Sequence, residues 1–187
     1  LEKTEKEAEE HLRKRKLFER KSYHNAVLSS IMATMYARSQ ETEMHSLRIS
    51  KYCKMMAEKM GLQQKTMDEL HLYAMLHDIG KIGIRDNILL KPGRLTEEEF
   101  EIIKEHPAIG AMIVSQLGLW DRETQIIRHH HERFDGNGYP DRLKGVAIPF
   151  LARIMSVADA YDAMASDRAY RKKLDLEQVV TIIKDGS

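Results

Sequence analysis

The chain has 187 residues, in which 30 Lys+Arg balance 29 Asp+Glu, with one cysteine and nine histidines. A typical domain is ~150 residues long, so this length predicts about one domain plus an appendage. The net charge of +1 argues against a nucleic-acid polymer or an anionic membrane surface as partner.

The longest apolar run is the five residues Leu72 to Leu76, far short of the ~18 that a membrane span needs. A lone Cys53 cannot build a disulfide framework and fits a reducing, cytoplasmic setting. No secretory signal pattern opens the chain. The start at Leu1 rather than Met leads us to expect a piece of a longer protein.

Fourteen of the first 21 residues are charged. Glu2–Lys6, Glu9–Arg13 and Glu10–Lys14 are i,i+4 pairs with the acid first, the better orientation on a solvated helix. Leu1, Ala8 and Leu12 add a faint heptad seam. Residues 1–22 therefore read as a charged helical linker from an upstream domain. It is either a solvated helix or a dimerising signalling helix that would join a homodimer.

Residues 23–187 read as one mostly α domain, because β-branched alternation is nearly absent. Ala26, Val27, Ser30, Ile31, Thr34 and Met35 predict the buried stripe of a first helix. Leu47, Ile49, Cys53, Met56 and Met60 predict a second, stopped by Gly61. Met67, Leu70, Tyr73, Ala74 and Leu76 predict a third. Thr96 with Glu99 reads as a capping box, as does Asp175 with Gln178. Further helices are expected over Ala108–Leu117, Arg122–His130, Pro149–Met164 and Asp175–Ile183. Gly, Pro and Asn place loops at Gly83–Arg94, Gly118–Asp121 and Asp135–Pro149. The eleven methionines read as core fillers.

The chemistry lies in the histidines and acids. His77-Asp78 ends an apolar helix; adjacent helical residues project about 100° apart and so serve two sides of a metal cluster. Imidazole and carboxylate suit divalent first-row metals, although such a dipeptide also caps helices. Lys81, four residues on, is expected on the face of His77. Glu41 and His45 are spaced i,i+4, which fits one metal region or a plain surface pair. His106 precedes Pro107 at a helix boundary. His129-His130-His131 is followed by Glu132 and by Asp135-Gly136-Asn137-Gly138-Tyr139-Pro140, whose two glycines predict a tight turn with positive φ. Asp159 sits among small apolar neighbours, costly for a carboxylate unless it is paired or binds a cation.

The run His77-Asp78-Ile79-Gly80-Lys81-Ile82-Gly83-Ile84 resembles the signature of HD-domain metal phosphohydrolases. The run His130-His131-Glu132-Arg133-Phe134-Asp135-Gly136-Asn137-Gly138-Tyr139-Pro140 resembles the second signature, which defines the HD-GYP subfamily. Leu90-Lys91-Pro92-Gly93, His106-Pro107, Asp159-Ala160 with Asp162-Ala163, and Arg168 with Tyr170-Arg171 add to the resemblance, which covers roughly residues 36 to 180.

The resemblance implies an all-α, HD-superfamily helical bundle with a metal cluster in its core. It implies metal ligands at His45, His77, Asp78, His106, His130, His131 and Asp159. Glu41 falls where some members hold a third metal, so two or three divalent ions are expected, iron or manganese by family habit. Lys81 falls on the substrate-phosphate contact, and Arg168 and Arg171 on residues that hold the guanine nucleotide. The implied activity belongs to bacterial signalling: hydrolysis of cyclic di-GMP to linear pGpG, GMP or both. In that reading Asp78 bridges two ions ~3.5–4 Å apart that share a hydroxide, and Lys81 stabilises phosphoryl charge.

Tyr139 is expected either to pack or to contact substrate or a protein partner through its loop. Two other readings stay open: a phosphodiesterase for another cyclic dinucleotide, and a non-catalytic output domain that binds a nucleotide or a partner. His11, His24 and His71 carry no expected role, and His129 is expected beside the ligands or at the surface. Two features depart from the family pattern. Thr42-Glu43-Met44 precedes His45 where members commonly carry Thr-Gly-Gly, and the chain stops at Gly186-Ser187, where a continuation and hence a truncated last helix pair are expected.

Overall fold

Helical stripes dominate the sequence, and among the described residues every regular element is helical. The structure is a computed structural model that describes residues 26–27, 29–37, 42–116, 121–166 and 172–185. The expected linker over residues 1–22, Glu41, Arg168 and Arg171 lie outside the described residues.

Helix α1 covers residues 29–37. It is followed by α2 (Thr42–Lys59), α3 (Gln64–Leu76), a 3-10 turn (Ile79–Gly83), α4 (Asp86–Leu89), α5 (Glu97–Ile103) and α6 (His106–Gln116). Then come α7 (Asp121–Arg128), a second 3-10 turn (Gly145–Ala147), α8 (Phe150–Ala165) and α9 (Leu176–Asp185). Both expected capping boxes form. Glu99 N donates to Thr96 Oγ1 at 3.3 Å and Thr96 N to Glu99 Oε2 at 2.8 Å. Gln178 N donates to Asp175 Oδ1 at 2.9 Å and Asp175 N to Gln178 Oε1 at 3.4 Å. No helix among the described residues is long and apolar enough to cross a membrane.

Helices α2, α3 and α8 pack on one another around Ile49, Cys53, Leu70, Tyr73, Met155 and Ala158. A second cluster of Met35, Leu76, Ile79, Val114 and Ile127 joins α1, α3, the first 3-10 turn, α6 and α7. Each large apolar side chain buried in this way contributes roughly 1.5–3 kcal/mol.

Several expected faces are shifted. Leu47 on α2 and Met60 just after it are 43% and 53% exposed, whereas Ser46, Ser50 and Ala57 of α2 are buried. The helix turns its small residues to its neighbours, which a count of bulky apolar residues misses. In the expected first stripe Ala26 is exposed, and on α1 Ser30 and Thr34 are exposed while Met35 alone is buried. Met35 and Met155 fill the core, but Met44, Met55, Met60 and Met112 are exposed, so the core-filler reading holds for only some methionines. The expected loop after Gly83 contains α4, too short for a periodic signal, whose Ile88 is buried.

Candidate metal centre

The expected ligands sit at helix ends, and the packing brings those ends together. His77 and Asp78 follow α3, His106 opens α6, and His130 and His131 follow α7. His45 lies in the first turn of α2, and Asp159 in the middle of α8. Gly80 sets the closest approach. A Cβ there would meet the main-chain oxygen of His106 at 1.9 Å, so only glycine lets the 3-10 turn lie backbone-to-backbone on α6.

Asp78 stands at the centre and is 2% exposed. Its Oδ1 is 3.3 Å from His106 Nε2, and its Oδ2 is 3.4 Å from His77 Nε2 and 4.0 Å from His45 Nε2. His106 Nε2 and His130 Nε2 are 3.4 Å apart. Asp159 Oδ1 lies 3.3 Å from His45 Nε2, and its Oδ2 lies 3.6 Å from His131 Nδ1.

The tautomers of three rings follow from their partners. His77 Nδ1 donates to Ala74 O at 2.7 Å, His106 Nδ1 to Ile103 O at 2.6 Å and His130 Nδ1 to Ile127 O at 2.6 Å. Each carbonyl lies in the last turn of a helix, where carbonyls lack an intrahelical donor. A carbonyl only accepts, so the proton sits on Nδ1 and the Nε2 lone pair faces inward. Burial keeps two of them neutral: it lowers His106 to about 3, with Asp78 pulling the other way, and holds His130 well below the ordinary range. Burial also lowers His131, to about 4.

Asp78 and Asp159 stay ionised despite burial. The Lys81 ammonium leads in outweighing it at Asp78, and the hydrogen bond from His45 outweighs it at Asp159. His45 is the exception among the rings. Burial pulls it down, but hydrogen bonds to Asp159 and Asp162 push it up to about 9.

Lone pairs of His106, His130 and Asp78 thus converge with no proton between them. The buried Asp78 Oδ1 and His77 Nε2 have no hydrogen-bond partner. Such an arrangement is repulsive unless a cation occupies it, and imidazole with carboxylate is a donor set for divalent metals. Asp78, His106, His130 and His131 form one group able to hold an ion, and His45, His77 and Asp78 a second that shares Asp78.

Lys81 does not sit over His77, as helical spacing would have it. The chain leaves α3 for a 3-10 turn, and Lys81 Nζ instead donates to Asp78 Oδ2 at 2.7 Å. Lys81, Asp78 and His45 border a cleft of about 570 Å³. Tyr139 is half-buried. Its ring covers His131 at 4.8 Å between centroids, and its N donates to His131 O at 3.2 Å. Of the two glycines beside it, only Gly136 has positive φ, at 84°. Gly138 is required by space, because a Cβ would meet Arg133 N at 2.3 Å.

Sequence reasoning missed a second polar cluster. Glu132 is buried, and its two oxygens accept from Asp141 N at 2.7 Å and Leu143 N at 3.0 Å. Asp141 takes both Arg128 Nε and Nη2 at 2.7 Å and lies 2.8 Å from His129 Nε2. His129, Glu132 and Asp141 lie close enough to hold an ion, but their carboxylates are already filled by these donors. The cluster straps the loop that carries Tyr139. Its sequence signal is slight: Arg128-His129 precede Asp141, and Glu132 follows the histidine run.

The sequence profile of the HD domain family matches residues 25–187. The chain belongs to the HD-domain family. Its second signature places it in the HD-GYP branch. This HD domain is 45% identical over 152 residues to a Thermotoga maritima protein named cyclic di-GMP phosphodiesterase, covering 80% of this chain and 41% of the relative. It is 38% identical over 185 residues to a Vibrio cholerae protein of the same name, covering 89% of this chain and 37% of the relative. The chain therefore spans less than half the length of these relatives. A solved structure of a HDG"Y"P protein from Bdellovibrio bacteriovorus shares the fold, with a TM-score of 0.60 at 24% identity over 87% of this chain and 59% of that one.

Proposed function

We propose that residues 23–187 are the catalytic domain of a metal-dependent phosphodiesterase that hydrolyses cyclic di-GMP to linear pGpG, GMP or both. The observation that carries this reading is the convergence of unprotonated lone pairs on Asp78, beside a cleft that Lys81 borders. His77, Asp78, His106, His130 and His131 with His45 and Asp159 would hold two divalent ions, iron or manganese, and Glu41 would add a third. Such ions, when bound, activate water at neutral pH and neutralise phosphodiester charge.

The chain's own residues then have defined tasks. The buried histidines, fixed by main-chain carbonyls, keep their Nε2 donors in place without rearrangement. Asp78 serves both ligand groups through its two oxygens. Lys81 Nζ, held at the cleft by Asp78, donates to a non-bridging phosphoryl oxygen as charge develops there. Arg168 and Arg171 present forked donors to the guanine nucleotide. Tyr139 holds His131 from above and offers its loop to substrate or a protein partner. Residues 1–22 carry a signal from an upstream domain in a cytoplasmic protein, with pairing of two copies through that helix.

The test is turnover by anaerobically purified protein loaded with Fe(II) or Mn(II), with products separated by chromatography. Conversion of cyclic di-GMP that chelation abolishes is expected. A metal-loaded sample without turnover contradicts the proposal. Equal rates on every cyclic dinucleotide would leave the reaction class standing and overturn the substrate.

A further inference from the structure

His45 stands apart from the other histidines. His77, His106 and His130 follow helix ends and use carbonyls that the helix leaves unpaired. His45 sits in the first turn of α2, where main-chain carbonyls serve the helix itself. Its orientation has to come from another element.

That element is α8. His45 Nδ1 lies 2.7 Å from Asp162 Oδ2, and its Nε2 lies 3.3 Å from Asp159 Oδ1. Asp159 and Asp162 are three residues apart, so one face of α8 presents both carboxylates to the two sides of one imidazole. Asp162 is 1% exposed. Arg48, one turn beyond His45 on α2, donates from Nη2 to Asp162 Oδ2 at 2.9 Å and from Nε to Asp162 Oδ1 at 2.5 Å. Ser166 Oγ lies 3.5 Å from Asp162 Oδ1. The Asp162 oxygens are occupied by these donors, so this carboxylate is no ligand itself.

We infer that Asp162, clamped by Arg48, is the positioning residue that fixes the proton of His45 on Nδ1 and aims its Nε2 at the metal region between Asp78 and Asp159. This inference rests on the metal-centre reading above and gives a task to Asp162, to which the resemblance assigns no role. Partners of this kind typically change metal affinity 10–100-fold.

The test is Mn(II) titration of the whole chain, with free Mn(II) read by electron paramagnetic resonance. Asp162→Asn keeps the volume, but its amide cannot accept from both His45 and Arg48. We expect it to weaken binding at one site about 10–100-fold. His45→Ala should weaken the same site, and Asp162→Asn should add nothing in that background. A merely structural role would instead make the two losses multiply. Should Asp162→Asn not fold, Asp162→Glu retains charge and displaces the oxygens by a methylene; a several-fold loss is expected. Unchanged affinity in either variant, or multiplying losses, overturns the inference. A wild-type chain that binds no Mn(II) would instead overturn the metal centre.

Discussion

A Cβ on Gly80 would stand 1.9 Å from the main-chain oxygen of His106 and 2.5 Å from Gly110 N. Both obstacles are backbone, which no rotamer change removes. This contact brings the segment after α3 against the start of α6, and so Asp78 to His106. Gly80→Ala should cost about 1–3 kcal/mol as overpacking, a fall of roughly 2–12 °C in Tm for a chain of this size. Calorimetry on the metal-free protein checks the fall, and metal analysis should show a parallel loss of bound ion.

Asp78→Asn exchanges an acceptor for an amide whose N–H can meet the lone pair of His106 or His77. It also removes the charge that Lys81 holds at 2.7 Å, and because the Asp78 carboxyl lies well below its ordinary range the charged form is the stabilising one, so the metal-free Tm should fall. The same change should abolish turnover and cut metal content. In the wild type, metal at 100 times its Kd should stabilise by about 2.7 kcal/mol, and this rise should vanish in the variant. Thermal melts with and without Mn(II) read both effects.

Lys81→Met removes the cation at the cleft and leaves the histidines untouched. Metal content should hold, while kcat falls about 10²–10³-fold, the usual effect of losing one charge-stabilising donor. Stopped assays on cyclic di-GMP beside metal analysis separate this outcome from loss of the centre.

Asp141 gives the pH dependence of the strap. The hydrogen bond from Arg128 leads in lowering its carboxyl from 3.8 to about 2, burial opposes, and His129 assists. A depressed folded pKa stabilises above the unfolded value and loses that contribution as pH falls from about 4 through about 2. Asp141→Asn should therefore melt below wild type at pH 5, and the gap should close as pH approaches 2. A gap constant across that range would contradict the assignment.

Residue identity was legible where chemistry is local. His77-Asp78, His106, His130-His131 and Asp159 were nominated by type, spacing and resemblance, and the structure brings them to one place. The capping boxes at Thr96 and Asp175 needed only neighbours in sequence. What stayed hidden depends on distant backbone. The Nδ1 protons of His77, His106 and His130 follow from carbonyls freed at helix ends. The need for glycine at 80 comes from α6, and at 138 from the chain at Arg133. Asp162 was part of the resemblance, but its task was not legible, because Arg48 and Asp162 lie at plain i,i+3 spacing from His45 and Asp159, a pattern that any solvated helix face shares. A helical period places Lys81 over His77, but α3 ends at Leu76, and from the 3-10 turn that follows Lys81 reaches Asp78 instead.

The most direct test is anomalous scattering from a crystal of the chain loaded with Mn(II) or Fe(II) and measured across the metal's absorption edge. Two peaks about 3.5–4 Å apart are expected on either side of Asp78. One would be contacted by His106 and His130, the other by His77 and His45. Peaks elsewhere on the molecule, with Asp78 left bare, would contradict that arrangement.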